Sequence, residues 1–138
     1  MEESLSREVV ISKYSSAALA YIGDALIELL IRRELIGDGD IPSRVMTQRA
    51  QKLVCATRQS DAVETLLPLL DDQETSVYKR GRNMKNGSVP RHATPAQYAR
   101  ASGFECVFGF LHLTGNDERA YELFKKCYMD ELREGDSQ

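Results

Sequence analysis

No stretch of the 138-residue chain stays apolar over the ~20 residues that a membrane-spanning helix needs. The start, MEESLSREVV, has neither a basic n-region nor an apolar h-region behind it, so no targeting segment and no membrane partner are expected. Cysteine is scarce too. Cys55, Cys106 and Cys127 make no CxxC pair and no even disulfide set, which fits a reducing, cytoplasmic setting with the three as small core residues. Alternating β-branched runs between tight turns are almost absent, and the fold class that remains is all-α. Internal repeats and low-complexity tracts are missing as well.

What is present suits one domain, residues 1–138 with a core of about 15–133, since this length and 42% hydrophobic content build one respectable core and not two. The net charge of −3 argues against a uniformly basic nucleic-acid binder but conceals an uneven distribution. Between Glu74 and Glu105 there is no acid, while Lys79, Arg80, Arg82, Lys85, Arg91 and Arg100 all fall there. Between Asp40 and Asp61 the pattern repeats with Arg44, Arg49, Lys52 and Arg58. An acidic chain therefore carries local basic surfaces.

Helix signals run the whole length. Ser15 is an N-cap for a long helix that stops near Gly37, and one or two helices should follow Pro42 through Leu70, with Pro68 at an end or kink. DDQETSVYKRGRNMKNG starts with acids and ends with cations, the order a helix dipole prefers, and Asn86-Gly87 should break it. NGSVPRHAT is the one substantial loop. Thr94, Pro95 and Gln97 form a T-P-x-Q capping box that opens a helix to about Leu113. After Thr114-Gly115 a last helix places Ala120, Leu123, Phe124, Cys127 and Leu132 on one face, then frays at EGDSQ.

Two of these helices carry a carboxylate inside an apolar run. In AALAYIGDALIELLIRREL, apolar residues cover most of the circumference at 100° per residue, which predicts a central helix with Asp24 and Glu28 as a narrow acidic stripe at i and i+4. An isolated buried carboxylate costs several kcal/mol, so Asp24 must be hydrogen-bonded, paired or protonated. Alone, it fits a structural aspartate equally well. Gly23 costs roughly 1 kcal/mol relative to alanine and signals close packing. The second acid is Glu105, in AQYARASGFECVFGFLHL, whose helical neighbours Tyr98, Ala101, Ser102, Gly109 and His112 are mostly small. Together with Ala20 beside Asp24 they predict space of the kind a hydrated Mg²⁺ needs, and Mg²⁺ takes only one or two protein carboxylates.

Residue by residue the chain resembles the ribonuclease III catalytic domain, and within that family the short Mini-ribonuclease III type that lacks a double-stranded RNA-binding domain. IGDALIEL matches the signature helix with Asp24 as the catalytic acid, and FECVFG matches the later helix with Glu105 as its partner. ALAYIGDA, KRGRN and the spacing from Tyr98 to Phe104-Glu105 match the short type, so the likeness runs from about Ala17 to Leu113. Larger members have further acids where this chain has Ala20 and Ser102, which leaves the number of ions and a ligand role for Glu28 open; Glu28 also suits an ion pair with Arg32. With so few residues after Glu105, no second RNA-binding domain is expected.

The resemblance implies an all-α endonuclease domain that hydrolyses double-stranded RNA with Mg²⁺, Mn²⁺ being able to substitute. It leaves 5′-phosphate and 3′-hydroxyl ends, acts as a homodimer and matures precursor 23S ribosomal RNA, with a ribosomal protein as a further partner. The RNA-binding candidates are Lys79, Arg80, Arg82, Asn83, Lys85, Arg91 and Arg100, with His92 beside them. Gly81 would let a phosphate approach the backbone, although a cluster such as KRGRN is also the usual look of a solvated helix end. The alternative is a non-catalytic helical RNA-binding or ribosome-associated module of the same fold. A phosphohydrolase built on a His-Asp pair is disfavoured, because His92 and His112 are isolated and no HD dipeptide occurs.

Overall fold

The computed structural model describes residues 4–37, 39, 41–85 and 92–136, the side chains of 130 and 133–136 excepted. Every regular element among them is helical, as the sequence predicts: α1 (Arg7–Lys13), α2 (Ser16–Ile36), α3 (Ser43–Val54), α4 (Ala56–Leu66), α5 (Asp72–Arg82), α6 (Pro95–Leu113) and α7 (Asp117–Asp136). A 3₁₀ turn over Leu67–Leu69, around Pro68, joins α4 to α5. No single described helix is long and apolar enough to cross a membrane.

The helix starts are set by side-chain caps. Ser15 accepts from the Ala18 N–H, and Thr94 and Gln97 close the capping box at α6 with Pro95 in the first turn. Asp71 and Glu74 close a second capping box at α5, which ends at Asn83; Asn86-Gly87 lies outside the described residues. The short α1, capped by Ser6, went unforeseen because it has little apolar periodicity of its own.

The central helix is α6, and the expectation that α2 fills this place is overturned. Nearly all of α6 from Ala101 to Leu113 is buried, and α2, α4, α5, α7 and α1 pack around it. By contrast α2 buries one face, Leu19, Gly23, Ile27, Leu30, Ile31 and Leu35, and leaves Tyr21 80%, Leu29 53% and Ile36 56% exposed. The broad face that Ala18, Leu19, Ile22, Leu26, Leu29 and Leu30 form by their spacing is thus only partly the buried one, and Asp24 is exposed. The physical reason lies at Gly23 and Gly109. A Cβ on Gly23 would overlap the Glu105 carbonyl oxygen, and one on Gly109 would overlap that of Leu19, so α2 and α6 cross with their backbones touching. Glycine turned inward orients α2 more strongly than its bulky residues do.

A similar crossing corrects the reading of Gly81. It is buried, and a Cβ there would lie 2.9 Å from the Gly103 Cα, so its lack of a side chain serves α5–α6 packing and offers no backbone to a phosphate. Cys55 is exposed at the α3–α4 junction, whereas Cys106 and Cys127 are buried as expected. The expected face of α7 is buried, joined by Tyr128, which stacks on Phe124 with ring centroids 5.0 Å apart.

Candidate active site

The α2–α6 crossing determines where the two carboxylates go. With the Gly23 backbone pressed on that of Glu105, the next side chain along α2, Asp24, is delivered beside the Glu105 carboxylate, and the two are in hydrogen-bonding contact. Asp24 stands at the surface, while Glu105 is mostly enclosed. Burial, followed by the negative charge of Asp24 and the hydrogen bond to it, pushes Glu105 from an ordinary 4.5 up to about 8, with Gln59 opposing. Two carboxylates in contact without a cation cannot both ionise readily, so the pair retains a proton at neutral pH.

Around them the expected empty space is not there. Gly109 is filled by the α2 backbone, Ser102 is buried one turn before Glu105, and Ala20 is partly buried against the cluster of Val10, Leu19, Val77, Cys106, Phe110 and Leu113. Small residues here permit helix contact. Glu28 pairs with Arg32 at 2.9 Å. Among the described residues no group of three or more His, Cys, Asp or Glu comes together, and Asp24 and Glu105 are the two carboxylates in contact at this site. The donor set nonetheless suits a hard divalent ion, which satisfies its remaining positions with water and substrate phosphate. The raised Glu105 marks an unneutralised carboxylate pair of the kind such an ion relieves.

The sequence reading missed Gln59. It is 2% exposed on α4 with its amide towards Glu105. The available signal was that Gln59 shares the helical face of Val63 and Leu66, both buried, where a polar residue is out of place.

The basic candidates divide into two groups. Lys79, Arg82, Asn83 and Lys85 are exposed at and just beyond the end of α5, with Arg82 donating to Asn83 Oδ1 at 3.3 Å and lying over the Tyr78 ring. Arg80 donates instead to the carbonyls of Ile11 and Tyr14, at 3.2 and 3.5 Å, where it closes the C-terminal end of α1. Arg100 is partly buried and donates from Nε to Ser60 Oγ at 2.8 Å. His92 is exposed, His112 sits 2.9 Å from Asp117, and Arg91 lies outside the described residues.

A Ribonuclease III domain model matches residues 17–116, the segment that contains both acids and the basic end of α5. The chain is 40% identical over 107 residues to a Mini-ribonuclease 3 of Symbiobacterium thermophilum, which covers 78% of this chain and 82% of that one. It is 33% identical over 136 residues to a Mini-ribonuclease 3 of Brevibacillus brevis, with 99% and 98% covered. A protein of Fusobacterium nucleatum solved by X-ray crystallography superimposes with a TM-score of 0.80 at 27% identity, over 88% of this chain and 98% of that one. Both its helices and its sequence place the chain in the ribonuclease III family, as an endoribonuclease whose relatives are Mini-ribonuclease 3 proteins.

Proposed function

We propose that the chain, as a single catalytic domain over residues 1–138, hydrolyses double-stranded RNA with a divalent cation, Mg²⁺ or in its place Mn²⁺, and that Asp24 and Glu105 carry the reaction. The observation that carries this reading is the contact of those two carboxylates at the α2–α6 crossing. When bound, the cation would supply Lewis acidity for activating water and neutralising charge on the phosphate. Asp24 and Glu105 would hold it, Asp24 from the exposed side where substrate arrives. Water adds to phosphorus, the P–O3′ bond breaks and the 3′ oxygen departs as a hydroxyl, leaving 5′-phosphate and 3′-hydroxyl ends.

Lys79, Arg82, Asn83 and Lys85, with Arg91 and His92 next in sequence, suit contacts to the RNA backbone, which is how A-form duplexes are mainly recognised. Arg80 and Arg100 would contribute charge to this surface while their guanidinium groups brace α1 and α4. The working unit we propose is a homodimer. Tyr21, Ala25, Leu29 and Ile36 are exposed along one face of α2, and a twofold pairing there would cover them and set two sites on opposite strands. Precursor 23S ribosomal RNA as substrate, a ribosomal protein as partner and a cytoplasmic location rest on the family likeness.

The decisive experiment is cleavage of a defined RNA duplex with and without Mg²⁺, for the wild type and Asp24→Asn. The expected result is Mg²⁺-dependent cutting to 5′-phosphate ends, lost in the variant at unchanged duplex affinity. Duplex binding without cleavage by the wild type would instead favour a non-catalytic RNA-binding module.

A further inference from the structure

The inward face of α4 carries a buried amide that the reaction described above does not use. Gln59 is 2% exposed, and its Nε2 has no hydrogen-bond partner of good geometry among the described residues, although the amide faces the Glu105 carboxylate. A buried donor left in that state costs about 1–3 kcal/mol. An apolar side chain of the same size would avoid the cost altogether.

Its two neighbours tie α4 to other helices, although Arg58 Nε, like Gln59 Nε2, has no hydrogen-bond partner among the described residues. Arg58 Nη2 donates to the Cys127 carbonyl and to Glu131, both at 2.6 Å, which ties α4 to α7. Ser60 Oγ accepts from Arg100 at 2.8 Å, which ties α4 to α6. These interactions fix the backbone of this turn of α4, and burial confines the Gln59 side chain that extends from it, with its amide towards Glu105.

We propose that Gln59 is a positioning residue for Glu105: its amide N–H holds the carboxylate in the orientation that binds a divalent cation. The proposal rests on the reading of Asp24 and Glu105 as a cation-binding pair. A free carboxylate rotates about its last carbon–carbon bond, and a fixed donor on one oxygen selects one rotation and leaves the other oxygen for the ion. Groups that orient a ligand in this way typically change metal affinity by about 10–100-fold when removed. Leaving the donor unpartnered without the ion is the structural cost of having it in place when the ion arrives.

Gln59→Met keeps the volume and removes the donor. Expected are Mn²⁺ binding to the RNA-free protein, measured by calorimetry, weakened about 10-fold or more, and a matching rise in the Mg²⁺ concentration for half-maximal cleavage. The rate at saturating Mg²⁺ should stay within about threefold of wild type. The melting temperature of the metal-free protein should hold or rise, because a buried unpaired amide has gone. Unchanged Mn²⁺ affinity overturns the proposal, and so does a lowered melting temperature with unchanged affinity, the signature of a packing residue. If Gln59→Met does not fold, Gln59→Leu replaces it; if neither folds, the amide is structural and the proposal fails. Asp24→Asn run alongside separates the two levels. Loss of cleavage and of cation binding there upholds the carboxylate pair whatever Gln59 does, whereas retention of both removes the pair and this proposal with it.

Discussion

Replacing Gly23 by alanine adds one methyl group at the tightest point of the molecule. The new Cβ would overlap the Glu105 carbonyl oxygen and lie 2.9 Å from the Gly109 nitrogen. Both obstacles are backbone, so no rotamer change relieves them, and ordinary carbon contacts near 3.5–4 Å require α2 to withdraw from α6 by more than about 1 Å. Overpacking of this kind costs about 1–3 kcal/mol, and a backbone obstacle belongs at the upper end. Alanine returns roughly 1 kcal/mol of helix propensity, which leaves a net loss of about 2 kcal/mol. For a domain of this size that lowers the melting temperature by about 6–10 °C.

The loss of activity should exceed what stability explains. A displacement of about 1 Å between reacting groups costs on the order of 10²-fold in rate, and the withdrawal of α2 carries Asp24 away from Glu105. Cleavage of a short duplex at 25 °C, well below either melting temperature, isolates this effect. Lys126→Gly, on the exposed side of α7, is a destabilised control: it removes about 1 kcal/mol of helix propensity, roughly half the loss expected for Gly23→Ala, without touching the crossing, and should cut within a few-fold of wild type. Near-normal cleavage by Gly23→Ala would refute the claim that this crossing places the carboxylates, as would an equal loss in Lys126→Gly.

Three further outcomes follow from the charges. Glu105 binds its proton more tightly folded, with a value raised from 4.5 to about 8. The metal-free protein should therefore lose stability as pH rises between those values, by at most about 1.4 kcal/mol per pH unit, and Glu105→Gln should flatten the melting-temperature profile; an unaltered profile counts against the carboxylate contact. Glu74 is fully buried, and although burial alone would raise it, hydrogen bonds from Arg119 and the Asp71 backbone hold it below its usual 4.5, so its contribution is present above that value and fades as pH falls. Glu74→Gln, which weakens the pairing with Arg119 at 2.7 Å and Arg7 at 3.1 Å, should cost about 2–3 kcal/mol by chemical denaturation and leave the cleavage ends unchanged; a loss below about 0.5 kcal/mol would show the network to be incidental. Neutralising Lys79, Arg82 and Lys85 together should reduce the log–log salt slope of duplex binding by about 0.7–0.9 for each RNA phosphate left without its cation, and an unchanged slope assigns all three to solvent.

The sequence made the caps easy to read. Ser15 and the Thr94–Gln97 box act through hydrogen bonds over three residues, and such interactions need no knowledge of the tertiary structure. The orientation of α2 was harder, because counting large apolar residues gives Gly23 no weight, whereas the backbone contact it permits turns the helix. Gly81 and Gly109 misled for the same reason: a missing side chain reads as space in the sequence, and in the fold a neighbouring helix occupies it. Asp24 and Glu105, 81 positions apart, could be linked in the sequence only because each interrupts an apolar run and each falls in a motif. Gln59 had no motif, and its importance arises from the α4–α6 packing that brings its amide to Glu105.

The features that place the site also strain it. A backbone crossing that brings Asp24 against Glu105 sets two like charges together, and the fold responds by keeping a proton on the pair at neutral pH. Where α1, α5 and α7 meet, the opposite arrangement holds: Glu74 pairs with two arginines, is held ionised, and fastens the three helices together. One buried acid is thus matched by cations supplied in the chain, and in the function proposed above the other takes its cation from outside. Removing both tensions by the same means, a basic residue beside Glu105, would satisfy the charge permanently and close the position that an incoming ion and phosphate need. The proposed cation would compete with the shared proton for these two carboxylates, and its binding should stabilise the fold as its concentration rises above its dissociation constant.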